Sequence, residues 1–447
     1  MSETAIVHGG VKLQGTVELI PNKNSFLPAL AAALLSDRPV TYTHVPNTSD
    51  TQLLLQIFKE LGATVEQEGS SVTVTCNNLN TWKVPVVDGK AIRASLLFAG
   101  PLLARFGKAQ ITLPGGCKLG FRGIAAHVEN FQKLGIAAEF IDGGVIFSET
   151  DQSTSLDGLS FFSREASVTA TENALLYMAG KGATTTICGA AMEPHVVDLT
   201  TLLADMGVGI EGAGTNRISV TGKQHNQFTP ATFTSRPDFV DFCGYAVAAA
   251  ITGGEIRIQN GNVPEVVDTL IDWISLFQVQ FIREGNDIII SKYPDRDLFI
   301  DHHGSFPMAG PRLPKLYPRP WPGFPVDCIP MMIPLAACMS RGQILIKNWM
   351  YEDGLQVTRE LAQMGASIFM ASPGEIVVSA KDSHFSGKHT VTPPTVIQSV
   401  KAVFLAALAA DEGSVTTIRN FHFLKRRYPD LVEKFTSLGA RIEIIED

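Results

Sequence analysis

The stretch FKELGATVE (58–66) joins the tail of an amphipathic helix to the start of a strand through Gly62, and the chain returns to this pattern five more times. The copies read FQKLGIAAEF (131–140), LLADMGVGIEG (202–212), WISLFQVQF (273–281), LAQMGASIF (361–369) and FTSLGARIEI (435–444). Their pivots are Gly62, Gly135, Gly207, Phe277, Gly365 and Gly439, at steps of 73, 72, 70, 88 and 74 residues. Glycine closes a helix in the left-handed conformation without steric cost, and the residues after each pivot alternate as strands do. A fixed period of this length marks a supersecondary unit copied along the chain.

Between the pivots a second element recurs: a helix rich in Ala and other apolar residues, a Gly or Asp turn, then a β-branched strand. LPALAAALLSDRPVTYTHV (27–45), YAVAAAITGGEIRIQN (245–260) and AVFLAALAADEGSVTTIRN (402–420) are three of its six copies. These helices carry few charges on any face, which predicts that they lie inside the structure, whereas the pivot helices carry Lys, Glu, Asp and Gln on one side. The β-branched runs argue against an all-helical solenoid. Six units of about 73 residues account for nearly the whole chain and group naturally into two lobes of three, joined near the Pro- and Thr-rich FTPATFTSRPD (228–238). The long fourth step places an insertion at HHGSFPMAGPRLPKLYPRPWPGFP (302–325), whose seven prolines predict a rim loop rather than helix or sheet.

Composition narrows the function. At 447 residues the chain is long enough to bury large cores without disulfide or metal staples, and 45% hydrophobic against 18% charged residues excludes disorder. A formal charge of -8 speaks against a nucleic-acid surface while leaving room for a local cationic pocket. Apolar runs break well before 18 residues, so no membrane span is expected. Six scattered cysteines without CxxC or His at metal spacing point to no metal and a reducing compartment. The start MSETAIVHGG has no secretory pattern, and the expected location is the cytoplasm.

Three stretches stand out from the repeat background. In PNKNSFLPAL, Lys23 and Asn24 sit before a buried helix, whose amino-terminal N–H groups favour an anion such as phosphate; a solvated lysine and an Asn cap read equally well from spacing alone. In LPGGCKLGFR (113–122), three glycines surround Cys117, and Lys118 and Arg122 are placed to favour its thiolate. PGFPVDCIP sets Asp327 at the head of another buried helix, as a cap or as a reactive carboxylate.

PNKN, RASLLFAGPLLARFG, LPGGCKLGFR, ASVTATENALLY, MEPHVVDL and FPVD, on a sixfold repeat, together resemble the enolpyruvyl transferase family over essentially the whole chain. The cysteine loop favours the nucleotide-sugar branch over the shikimate branch, although RRYPDLVEKF looks more like the latter. The resemblance implies an α/β fold of two inside-out α/β barrel domains, each of three βαβαββ repeats. It places one lobe at 22–232 and the other at 1–21 plus 233–447. It implies transfer of the enolpyruvyl group of phosphoenolpyruvate to a hydroxyl of a uridine nucleotide or nucleotide-sugar, with no cofactor and no metal. The partners expected are small-molecule substrates, with neither nucleic acid nor membrane. A simple nucleotide such as UMP as acceptor, or a non-catalytic ligand-binding paralogue, are the other readings.

By the same resemblance Lys23, Arg122 and Arg426 clamp phosphate, Cys117 acts as general acid or forms an adduct, and Asp327 takes the acceptor proton. Asn24, Arg93, His127, Ser167 and Val168 match positions that hold the acceptor or order the loop. Two arginines expected to hold the donor carboxylate are missing: their places read WMYEDG and VIQSVK, with Asp353 or Gly354 and Gln398 or Ser399. Lys401, Lys425 and Arg427 are the nearest substitutes. After Arg122, Gly123, Ile124 and Ala125 replace the usual Pro-Val-Asp.

Overall fold

The structure is a computed structural model describing residues 3–87, 93–113, 123–150, 155–293, 297–300, 313–351 and 353–446. Cys117 and Arg122, with most of their loop, and the first part of the Pro-rich stretch lie outside the described residues. The described chain packs as two units, one holding 21–113 and 123–236, the other 3–20 and 237–446.

Each unit repeats one design. An apolar helix is followed by a strand, a polar helix and a hairpin, and the hairpin pairs back on the strand. In the unit of residues 21–236, the strands Ala231–Thr234, Val40–Thr43, Ser71–Thr75 and Thr64–Glu68 form one sheet in that order, with the first pair parallel and the others antiparallel. Ser160–Phe162, Thr184–Cys188, Arg217–Thr221 and Gly209–Glu211 repeat the order. In the third sheet, Lys108–Thr112, Gly144–Glu149 and Ile136–Ile141 do so with only a parallel bridge from Lys83 to Gln110 at the edge. In the inner strands buried residues alternate with partly exposed ones, as in Val40–Thr43, where Val40 and Tyr42 face inward, so one face of the sheet covers the helices.

In the other unit the helices Phe239–Thr252, Ile329–Ala337 and Ile397–Ala409 pack against one another and are nearly all buried, with sheets outside them. Apolar helices within and sheets without is the inside-out arrangement expected from the resemblance, and three repeats per unit is the expected count. The last repeat is closed by the other end of the chain: Glu3–His8 pairs antiparallel with both Val415–Ile418 and Arg441–Glu446, taking the hairpin position. Gln14–Glu18 likewise pairs with Glu255–Gln259, so the first twenty residues belong with 237–446.

Five pivots behave as read: Gly62, Gly135, Gly207, Gly365 and Gly439 all have positive φ. The sixth does not. Phe277 is fully buried, and the left-handed residue is Gln278, at φ 67. Burying a phenyl ring contributes about 2 kcal/mol, which offsets a left-handed non-glycine residue costing about 1 kcal/mol; the apolar residue therefore keeps its place and its neighbour turns.

The Pro-rich stretch also departs from a rim loop. Lys315–Leu316 is the parallel edge strand of its sheet, pairing with Leu345 and Ile346. Leu316 and Phe324 are fully buried, Trp273 meets Phe324 edge to face, and Trp321 lies against Phe239. Proline is tolerated there because an edge strand needs bonds on one side only.

Candidate active site

Each unit gathers a set of chemistry-bearing side chains, and the two sets are described in turn. In PNKN the helix starts at Lys23 rather than after it, because Asn22 is the cap: its Oδ1 accepts from the Asn24 and Ser25 amides at 2.9 and 3.3 Å. Asn24 is thus a first-turn residue and only half-buried. Lys23 is buried and its Nζ donates to Asp50 Oδ2 at 2.8 Å, a pairing that a desolvated ammonium requires. Asp50 stands in the first turn of Ser49–Glu60, a partner that sequence spacing could not reveal. On the same helix as Lys23, Ser25 Oγ donates to Asp198, which also accepts from Arg236 Nε at 2.8 Å.

His127 sits against Asn173 and Thr169 of the helix that Ser167 and Val168 begin, within electrostatic reach of Arg93. The Asn173 amide is fixed by Gly100 N–H donating to its Oδ1 at 2.8 Å and by its own Nδ2 donating to Leu96 O at 2.8 Å. Nδ2 also reaches His127 Nδ1 at 3.0 Å, so Nδ1 is the acceptor and Nε2–H donates to Thr169 Oγ1, also at 3.0 Å. Burial, with the nearby Arg93 charge, pushes the imidazole down to about 3. His127 is therefore a neutral hydrogen-bonding group and no anion-binding cation. Ser167 is the capping residue of Val168–Ala179 but makes no side-chain cap bond, and Ser167, Val168 and Thr169 stay half-exposed at that helix end. Arg93 opens the turn Arg93–Phe98, which packs on the Lys23–Ala32 helix.

In the second unit Asp327 lies in a single turn, Val326–Cys328, ahead of Ile329–Ala337, and it caps nothing. Its Oδ1 accepts from the Tyr351 hydroxyl at 3.3 Å and its Oδ2 faces Arg427 Nη1 at 3.6 Å. Arg427 is buried and forked on Asp238, donating from Nε and Nη2 at 2.8 Å each. Asp238 in turn caps Phe239–Thr252 through the Val240 and Asp241 amides. Burial opposes the Arg427 charge, but Asp238, Tyr428 and Asp327 hold it above the ordinary arginine range. Lys401 is similarly enclosed: Nζ donates to Asp241 Oδ1 at 2.9 Å and lies 3.6 Å from the Tyr428 ring centre. Gly244 makes room for it, since a Cβ there would stand 2.5 Å from Lys401 Cε.

Arg426 is exposed, and Lys425, half-exposed, pairs with Glu3. At Gly354, one of the two residues read at the first missing-arginine position, an added Cβ would lie 2.0 Å from Asn348 Nδ2, so a side chain there requires the Asn348 amide to move. At the other, Ser399 is buried and Gln398 half-buried in the Ile397–Ala409 helix. Asp238 could have been read from SRPDFVDF as a cap. Tyr351 carried no such signal.

Among the described residues no group of His, Cys, Asp and Glu is placed to hold a metal, and no helix is long and apolar enough to cross a membrane. Residues 7–297 match the family model described as EPSP synthase (3-phosphoshikimate 1-carboxyvinyltransferase). The chain is 31% identical over 441 residues to a UDP-N-acetylglucosamine 1-carboxyvinyltransferase of Borrelia garinii subsp. bavariensis, covering 99% of both chains. It is 34% identical over 437 residues to the protein of that name in Treponema pallidum, covering 98% of both. The solved enolpyruvyl transferase NikO from Streptomyces tendae superposes with a TM-score of 0.84 at 23% identity, over 99% of each chain, a likeness of fold. With a majority of its residues under the family model and relatives above 30% identity along its length, the chain belongs to the EPSP synthase family of carboxyvinyl (enolpyruvyl) transferases.

Proposed function

We propose that this protein transfers the enolpyruvyl group of phosphoenolpyruvate to a hydroxyl of a uridine nucleotide or nucleotide-sugar of the UDP-N-acetylglucosamine type. The observation that carries this is the end-to-end similarity to UDP-N-acetylglucosamine 1-carboxyvinyltransferases; the motifs holding Lys23, Cys117, Arg122 and Asp327, which resemble the family's, support it. The acceptor hydroxyl loses its proton to Asp327 and its oxygen attacks the central carbon of phosphoenolpyruvate, while the methylene carbon gains a proton from Cys117 acting as acid. The resulting phospholactoyl ketal gives back that proton and expels inorganic phosphate, leaving the enol ether. Lys23, Arg122 and Arg426 hold the phosphate; Asn24, Arg93, Ser167 and Val168 hold the acceptor. His127 serves as a neutral hydrogen-bond partner. The reaction belongs to the cytoplasm, with small molecules as its partners.

A second acceptor, a simple nucleotide such as UMP, is favoured by one feature: Gly123, Ile124 and Ala125 stand where the resemblance expects Pro-Val-Asp on the uridine side. The test is incubation of the purified chain with phosphoenolpyruvate and either UDP-N-acetylglucosamine or UMP, reading phosphate release and product mass. Product with the first supports the main reading, and product with UMP alone supports the second. Absence of phosphate and product with both refutes enolpyruvyl transfer to uridine acceptors. Fosfomycin labelling that disappears in Cys117→Ala separates a reactive loop from an inert one.

A further inference from the structure

We propose that Tyr351 is a positioning residue for Asp327, an inference that rests on the reading of Asp327 as the base. Its hydroxyl donates to Oδ1 at 3.3 Å, and the turn that carries it is built from both ends. Asn348, almost fully buried, accepts the Tyr351 amide on its Oδ1 at 3.1 Å and donates its own backbone amide to Gly374 O at 2.9 Å. Gly354 closes the turn by donating to Tyr351 O at 3.2 Å, and the missing side chain at Gly354 is what lets the Asn348 amide fit beneath. Trp349 pins the outer side through Nε1 to Pro318 O at 2.8 Å. The turn that lacks the expected cation thus presents a neutral donor to the carboxylate.

The chemistry assigns each oxygen a task. Arg427 spends its fork on Asp238 and lends Asp327 charge from 3.6 Å without a short hydrogen bond. Among the described residues the Tyr351 hydroxyl is therefore the donor that sets the plane of the carboxyl group. It remains a donor after proton transfer if Oδ1 becomes the carbonyl oxygen, so Oδ2 is the atom that receives the proton. The acceptor O–H bond breaks, the Oδ2–H bond forms, and the released electron pair stays on the attacking oxygen.

The experiment uses the full chain and Tyr351→Phe. Expected are a kcat lowered on the order of tenfold, as loss of a hydrogen bond to a charged group gives, an acceptor KM within about twofold of the parent, and an acid limb of kcat/KM moved to higher pH. A Tyr351→Phe enzyme with parental kcat and pH profile overturns the proposal. An arm independent of turnover compares urea midpoints of Tyr351→Phe, Asp327→Ala and the double variant. A Tyr351→Phe shift present in the parent but absent in the Asp327→Ala background supports the contact, and strictly additive shifts overturn it. If the parent turns over neither acceptor, the functional reading fails, and this second arm still decides the contact.

Discussion

Lowering the pH isolates His127, because its two ring nitrogens are satisfied only in the neutral form. An unfolded histidine titrates near 6.5, whereas here burial and Arg93 push the ring down to about 3. Between these values the unfolded chain binds a proton that the folded chain does not. Stability is then full above pH 6.5 and is lost as the pH falls toward 3. From 6.5 to 4.5 is two units at about 1.4 kcal/mol each, so His127 alone withdraws about 3 kcal/mol by pH 4.5. Nuclear magnetic resonance of ring-labelled histidine, with the signal identified by its loss in His127→Gln, should show a neutral ring down to pH 4. Amide exchange in the Val168–Ala179 helix should weaken between pH 7 and 4.5 by about 3 kcal/mol more in the parent than in His127→Gln. A ring midpoint near 6.5, or the same pH dependence in both proteins, would refute the reasoning.

Two further substitutions probe the other unit. Arg427→Met strands Asp238, whose side chain is fully buried, and should cost about 3–5 kcal/mol in urea unfolding, most of it recovered by adding Asp238→Asn; a loss below 1 kcal/mol contradicts the pairing. Gly354→Arg, which would restore a cation at an expected place, should lower stability by about 1–3 kcal/mol because its Cβ collides with Asn348 Nδ2. Combining it with Asn348→Ala should return part of the thermal midpoint, and an unchanged midpoint in the single variant counts against the steric account.

How much of this was legible follows from the range of each interaction. The pivots at Gly62, Gly135, Gly207, Gly365 and Gly439 could be read because a left-handed cap is a local demand with one preferred residue. Gln278 escaped because a buried ring and a strained neighbour trade against each other only once packing is known. Asn22 outranked Asn24 as the cap through hydrogen bonds two and three residues on, a distinction that PNKN does not carry. Lys315–Leu316 was hidden because a parallel edge partner 30 residues away decides it against local proline content. At the site, Lys23 and Asp327 announced themselves by helix-head positions, but their partners Asp50 and Tyr351 are set by tertiary packing and have no spacing rule.

The missing arginines pose a question of charge that the geometry answers by elimination. Lys401 and Arg427 are the interior cations offered as substitutes, yet their side chains are only 1% and 3% exposed and each is matched to an enclosed carboxylate. Drawing either outward would leave Asp241 or Asp238 buried and unpaired, at about 3–5 kcal/mol. A charge-assisted hydrogen bond to a substrate carboxylate returns about 1.5–3 kcal/mol, so neither residue is free to substitute. Lys425 is different: it is 49% exposed, and its pairing with Glu3 is of the class worth about 1 kcal/mol or less. Lys425 and Arg426 are both exposed, and attraction built on exposed charge weakens with salt as interior pairing does not. The two buried pairs hold the head of the Phe239–Thr252 helix and the Asp327 neighbourhood in place, and their charges are committed to that task.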